Sequence, residues 1–354
     1  MLNLGFELKL CFDSLKKEIL DNKISSAMNK EKIKWGIIGL GNIAHQFAKD
    51  LLLVEEAELV AVASRNLDKA TAFAENYDCK KAYDSYDAII NDAEVDILYI
   101  ATPHNSHAAL SIKALQNNKH VLCEKPIALN YDDALQMINA SKENNQFFME
   151  AFWTRFNPSF REAFSKIKNG EIGEVKYINA DFAFTADQLG AEGNRKTDIE
   201  LGGGALLDIG VYPLFLSYIL LGIPAEIMAK SIFHKTGADL QTSMILQYDN
   251  AQAILHSSFV SKSNMTATIN GTKGTINLNA LWHEAQSYTL TVNNEKKEHP
   301  LPTKGKGFTY EIEECHHCIK ENRIESELWS HRNSLELIKI VDEVRNQIGL
   351  EYPS

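Results

Sequence analysis

From Ile33 onward the chain alternates short, continuous apolar runs with amphipathic stretches. The apolar runs cover 33–38, 59–63, 95–101, 120–123 and 147–149. Between them, apolar residues recur at helical spacing over about 42–54, 66–76, 84–91, 105–117 and 130–143. Uniformly apolar strands separated by helices predict a parallel sheet covered on both faces. Its crossovers must be right-handed, which gives a doubly wound α/β Rossmann domain ending near Glu150.

Beyond Trp153 the pattern changes. A helix is predicted over 157–168, a strand over 174–184 and an apolar helix over 205–221. Strand-like segments follow at 226–235, 240–249, 252–261, 265–271 and 274–279, with turn signals at Asp249-Asn250 and Asn270-Gly271. Helices return at 308–321 and 331–347. Strands joined by tight turns form mostly antiparallel sheets, so this half is expected to be an α+β domain with a large open sheet. The division expected is an N-terminal extension over 1–30, a nucleotide-binding domain over 31–152 and a substrate and oligomerisation domain over 153–354. In the extension, 14–24 could form a short amphipathic helix, and Met28 is an alternative start that would make 1–27 an added segment.

Composition narrows the function. A formal net charge of −11 disfavours nucleic acid and anionic membranes as partners. Five scattered cysteines (Cys11, Cys79, Cys123, Cys315, Cys318) suit a reduced, cytoplasmic protein better than a disulfide scaffold. No uninterrupted apolar run approaches the ~20 residues of a membrane span. Cys315-His316-His317-Cys318 has metal-binding residue types but no second ligand pair, and it reads as a helix with buried thiols and exposed imidazoles. No metal is expected.

The chemistry begins after the first strand, at Gly39-Leu40-Gly41-Asn42-Ile43-Ala44. The first Gly permits a tight turn, the second lets backbone approach a pyrophosphate, and small Ala44 lets helix and strand pack closely. A helix N-terminus then faces the anion. At the end of the second strand, an NAD site places an acid on the ribose hydroxyls, whereas this chain has Ser64-Arg65-Asn66. A guanidinium attracts a 2′-phosphate and stacks on adenine, so NADP is expected over NAD.

Two further segments suggest a reaction. The fifth strand runs into Glu124-Lys125-Pro126, placing Lys125 at the carboxyl end of the sheet. Gly202-Gly203-Gly204 precedes Asp208 and Tyr212, which lie four residues apart and would share a helix face. The glycines leave room for a flat ring against backbone.

With these motifs in order, together with Ala101-Thr102-Pro103-His104-Asn105-Ser106-His107, the chain resembles the Gfo/Idh/MocA oxidoreductase superfamily from about Ile33 to its C-terminus. Met149-Glu150-Ala151-Phe152-Trp153-Thr154-Arg155-Phe156 and the Asp-x-Gly-x-Tyr pattern resemble the branch containing dimeric dihydrodiol dehydrogenase and NADP-dependent D-xylose 1-dehydrogenase. Most of the superfamily carries His where this chain has Tyr212. The resemblance implies Lys125 and Tyr212 as the reactive pair and Asp208 as an acid that positions substrate. It also implies Gly39, Gly41, Asn42, Ile43, Ser64, Arg65, Thr102, Pro103, His104, Asn105, His107, Glu124, Lys125, Trp153 and Arg155 around the cofactor. A free Tyr titrates near 10, so an ammonium about 4 Å away is expected to draw its pKa down.

The activity expected is hydride transfer between a sugar or cyclic-diol hydroxyl carbon and NADP, with an aldose oxidised at C1. The alternatives are trans-dihydrodiol oxidation, carbonyl reduction, and a dinucleotide-sensing protein without turnover. A homodimer or homotetramer is expected from the resemblance.

Overall fold

The computed structural model describes residues 32–191 and 193–353. Cys11 and the 14–24 segment lie outside them.

The first half is a six-stranded parallel sheet. Strand β1 (Ile33–Ile38) leads to helix α1 (Asn42–Leu51), then β2 (Ala57–Ala63), α2 (Leu67–Asn76), β3 (Lys81–Tyr83) and α3 (Tyr86–Ile90). Then come β4 (Ile97–Ile100), α4 (His107–Gln116), β5 (His120–Glu124), α5 (Tyr131–Asn144) and β6 (Phe148–Ala151). The strand order is β3-β2-β1-β4-β5-β6. The chain reverses direction across the sheet between β1 and β4, and a crevice opens there at the carboxyl ends of the strands. β4 is buried at every position because helices cover both its faces, which is why it reads as an unbroken apolar run.

After a 3₁₀ turn at Trp153–Phe156 come α6 (Pro158–Lys168) and β7 (Val175–Ala183). Helix α7 (Val211–Leu221) follows, then β8 (Glu226–Phe233), β9 (Asp239–Gln247), β10 (Gln252–Ser258), β11 (Ala267–Gly271) and β12 (Gly274–Leu278). Two further strands, β13 (Ser287–Val292) and β14 (Glu295–Pro300), complete an eight-stranded sheet ordered β14-β13-β12-β11-β7-β10-β9-β8. Only β7 and β10 pair in parallel. Alternation is clear in β8, where every second residue over 226–230 is exposed. The inner face packs on α7, whose first eight residues are all buried. The outer face exposes Met228, Ile245 and Ile254, which are neighbours in register across β8, β9 and β10.

Helices α8 (Thr309–Lys320) and α9 (His331–Ile348) return to the first domain. Asp342 Oδ2 accepts from Tyr131 N (2.8 Å), and Asp50 near the end of α1 accepts three backbone N–H groups of 306–308. The two sheets are therefore tied by the last helices as well as by the 152–153 junction.

The structure corrects the sequence reading in several places. β3, β13 and β14 were not expected: β3 is three residues long, and β14 is a charged edge strand. Ile199–Leu221 does have the length and hydropathy of a membrane span, but 78% of that window is buried inside the fold, so it is core. His316 is buried, not exposed. Its Nε2 accepts from Trp35 Nε1 (2.9 Å), and burial pushes its pKa down to about 4.

Candidate active site

The Gly-rich turn has the form its sequence implied. Gly39 has φ +89°, and a Cβ there would lie 2.7 Å from backbone of Ala101, so only Gly brings β1 and β4 together in this way. Gly41 is the N-cap of α1, with no side-chain cap, and open space surrounds its missing Cβ. The first-turn N–H groups of Asn42, Ile43 and Ala44 thus stand at a bare helix N-terminus, the arrangement that takes a pyrophosphate. Ser64 is buried at the end of β2, where its Oγ accepts from Asn66 N (3.3 Å). Arg65 next to it is exposed and makes no ion pair among the described residues. These residues fit a dinucleotide whose phosphates lie on α1 and whose ribose reaches Arg65.

The loop after β4 also makes contacts that its motif does not imply. Pro103 caps a 3₁₀ turn, and Thr102 is buried with its Oγ1 lacking a partner. His104 Nδ1 pairs with Gly202 O (2.9 Å), and Asn105 Nδ2 donates to Glu200 O (2.8 Å). Both side chains therefore fasten the first domain to the 199–202 turn of the second.

His107 bridges Thr102 O and Pro126 O, each at 3.0 Å, and so holds the β4 and β5 loops together. Burial pushes its pKa down to about 4 despite both carbonyls. Because the unfolded imidazole takes a proton near 6.5, the folded state loses stability as pH falls from about 6.5 to 4. His107→Gln should reduce the loss across that window, and urea melts of both proteins at pH 7 and 4.5 would read the difference, at most about 3 kcal/mol. An equal loss in both would remove His107 from the cause.

At the crevice, Lys125 Nζ donates to Asp208 O (2.6 Å), lies 3.8 Å from Asp208 Oδ1 and sits 5.0 Å from the centroid of the Tyr212 ring. Asp208 lies on a π-helical turn, Leu206–Gly210, whose wide winding leads into α7 and Tyr212. Burial would raise the Asp208 carboxyl, but Arg195 and then Lys125 overcome it and hold it well below the usual range. Arg195 Nη2 donates to Asp208 Oδ1 at 3.1 Å.

Tyr212 is 5% exposed, and its Oη accepts from Trp153 Nε1 (2.8 Å). Its pKa lies well above 10, raised first by burial and then by Glu124. This corrects the expectation that Lys125 draws it down. The ammonium is committed to the Asp208 carbonyl, and the Asp208 and Glu124 carboxylates beside it offset its charge. Glu124 is buried and accepts from Tyr99 Oη and Lys125 N.

Trp153 stacks on Phe308 (4.6 Å between centroids) and reaches the Tyr212 hydroxyl, so the structure brings it into the site. Arg155 is turned away. Its Nε donates to Leu328 O (2.8 Å) and its guanidinium covers Phe164, which makes it a packing residue. The Gly202–Gly204 turn does not leave room for a ring either. Cβ atoms there would meet His104, the Asp198 backbone and Asp239, so the glycines admit protein instead.

Arg195 and His283 were missed by the sequence reading. Each comes from a loop with no periodicity, and no spacing marks it. His283 joins Phe182, Tyr212 and Trp153 in an aromatic wall, with ring centroids 4.2, 5.4 and 6.1 Å from its own. A separate hollow of about 590 Å³, lined in part by Glu55, Lys304 and His317, lies between the α1–β2 connection and α8 and contains none of these groups.

A doubly wound sheet with a bare Gly-rich helix N-terminus, facing a buried Lys–Asp–Tyr cluster, defines a dehydrogenase that uses a nicotinamide dinucleotide and acts on hydroxyl groups. The comparisons with known proteins agree. Residues 33–152 match the oxidoreductase family with an NAD-binding Rossmann fold, and 160–277 match the GFO/IDH/MocA C-terminal domain. The chain belongs to the Gfo/Idh/MocA oxidoreductase family.

Among curated proteins it is 35% identical to trans-1,2-dihydrobenzene-1,2-diol dehydrogenase of Xenopus tropicalis, over 90% of this chain and 99% of that one. It is 34% identical to the protein of that name in Homo sapiens, over 91% and 98%. Among solved structures it is similar to the 3-ketoreductase KijD10 of Actinomadura kijaniata in complex with NADP and TDP-benzene (TM-score 0.81, 25% identity, covering 90% and 98%). It is also similar to the aldose-aldose oxidoreductase of Caulobacter crescentus (TM-score 0.81, 24% identity, covering 90% and 97%).

Proposed function

We propose that this protein is an NADP-dependent dehydrogenase that oxidises one hydroxyl of a cyclic vicinal diol, with trans-dihydrodiols as the leading substrates. The observation that carries this is the pairing of a charged floor with an aromatic wall. Lys125, Asp208 and Arg195 converge within hydrogen-bonding or ion-pair distance, and Trp153, Phe182 and His283 surround the Tyr212 ring. A flat ring bearing two hydroxyls suits both surfaces. The identity to the dihydrodiol dehydrogenases over nine-tenths of the chain supports the same reading. Aldose oxidation at C1 is the second reading, favoured by the three charged groups available to a pyranose.

Within the site, Tyr212 holds the proton exchanged with the substrate oxygen, Lys125 steadies the developing charge, and Asp208 orients the hydroxyl. The bound dinucleotide takes or supplies the hydride. Gly39, Gly41, Asn42, Ile43, Ser64 and Arg65 would hold its adenosine and phosphate half, while Thr102, Pro103 and Glu124 would lie beside its other half.

Reduction of NADP and NAD at 340 nm, against trans-dihydrodiols, trans-1,2-cyclohexanediol and aldoses, tests the reading. Turnover of diols with NADP is expected. Turnover of aldoses alone would move the assignment to the second reading. Arg65→Ala should raise KM for NADP at least about tenfold and leave KM for NAD nearly unchanged, because only the 2′-phosphate needs the guanidinium. Equal effects on both nucleotides would sink the NADP preference.

The exposed row Met228, Ile245 and Ile254 on the uncovered sheet face supports a homodimer or homotetramer, and the four free cysteines among the described residues suit a cytoplasmic location.

A further inference from the structure

His283 sits on a 3₁₀ turn between β12 and β13, far in sequence from every residue of the Lys–Asp–Tyr cluster. The fold nevertheless brings its ring against Phe182, nearly parallel at 4.2 Å and 24°, and tilted toward Tyr212 at 5.4 Å. The turn is pinned from just after the domain junction, because Thr154 Oγ1 donates to the His283 carbonyl (2.7 Å). The ring itself makes no hydrogen bond to any described residue, and its Nδ1 is sealed from solvent without a partner.

A buried imidazole in this condition is costly, since a polar group removed from water without a replacement forfeits a hydrogen bond outright. A Phe or Leu would fill the same slot against Phe182 at no such cost. The tautomer follows from the same argument. A sealed lone pair is tolerated better than a sealed N–H, so Nδ1 is the bare acceptor and Nε2 carries the proton. Burial and the nearby Lys306 and Lys125 push the ring's pKa down to about 3, which keeps it neutral at working pH. The residue retains 9% exposure and Nε2 is not among its sealed atoms, leaving an N–H donor that no described residue uses.

We infer that His283 is a specificity-determining residue whose Nε2–H donates to the second oxygen of a vicinal diol while Tyr212 exchanges a proton with the first. The inference rests on the diol reading above. A neutral imidazole can donate this bond without adding charge beside Lys125. Its stack on Phe182 fixes the ring plane, so the donor is already oriented when substrate arrives.

The test is the selectivity between trans-1,2-cyclohexanediol and cyclohexanol, measured as kcat/KM with NADP. Wild type is expected to favour the diol. His283→Phe keeps the stack and removes the nitrogen. It should lower kcat/KM for the diol about 10- to 100-fold, mainly through KM, and leave cyclohexanol within about threefold. His283→Gln restores a donor and should recover part of the preference. Where Phe is not accommodated, as judged by circular dichroism and NADP binding, His283→Leu gives the same reading. Parallel losses on both alcohols would make His283 a packing residue and overturn the inference, as would a diol rate unchanged in His283→Phe. Wild-type turnover of aldoses but of no diol would overturn the diol reading itself, a result separable from any behaviour of the variants.

Discussion

Tyr212→Phe is expected to cut kcat by about 10²–10⁴-fold while NADP affinity, followed by fluorescence titration, stays within about twofold. The aromatic wall surrounds the phenol, and the Trp153 Nε1 bond fixes where its oxygen lies. Burial keeps it protonated, so the resting group is a donor, ready for carbonyl reduction. In the oxidative direction it must accept a proton, and the Lys125 ammonium stands 5.0 Å from the centroid of its ring. Lys125→Met should therefore be as damaging as Tyr212→Phe, and the double variant little worse than either single one, because the two act as a unit. Near-wild-type turnover in Tyr212→Phe would reject its role. A double variant whose loss is the product of the two single losses would separate Tyr212 from Lys125 and assign Lys125 to the substrate oxygen alone.

Those residues were legible in the sequence because each sits on a local pattern. Gly39 and Gly41 lie between an apolar strand and a helix, Lys125 ends a strand, and Asp208 and Tyr212 are one helical turn apart. What the sequence concealed is long-range. Arg195 reaches Asp208 from an irregular loop, and His283, in the β12–β13 connection, meets Tyr212 on α7, an element distant in sequence. His104 and Asn105 have a second use that the sequence concealed for the same reason. Their side chains bond to Gly202 and Glu200, and a domain contact leaves no mark in a local motif. β14 escaped because an edge strand with Glu295, Lys296, Lys297 and Glu298 has no apolar alternation to detect.

Asp50→Ala is expected to produce the largest loss of stability, about 3–5 kcal/mol in urea unfolding. Asp50 is 2% exposed near the end of α1, and its carboxylate accepts from Lys306 N (2.9 Å), Gly307 N (2.8 Å) and Phe308 N (2.8 Å). Those N–H groups belong to the entrance of α8, which has no side-chain cap of its own. A residue of the first domain thus caps a helix of the second, and the helix dipole adds to the attraction. Removing the carboxylate strands N–H groups that water reaches poorly, and that one-sided loss makes the cost large. Asp50→Asn keeps one acceptor oxygen but turns an NH₂ toward a donor, so it should fall between Ala and wild type. The consequence extends to catalysis. Phe308 stacks on Trp153, and Trp153 holds the Tyr212 oxygen, so a loosened α8 entrance should lower kcat even where the variant is fully folded. A destabilisation below about 1 kcal/mol would mean that solvent replaces the carboxylate, and that the joint between the two sheets rests on α9 instead.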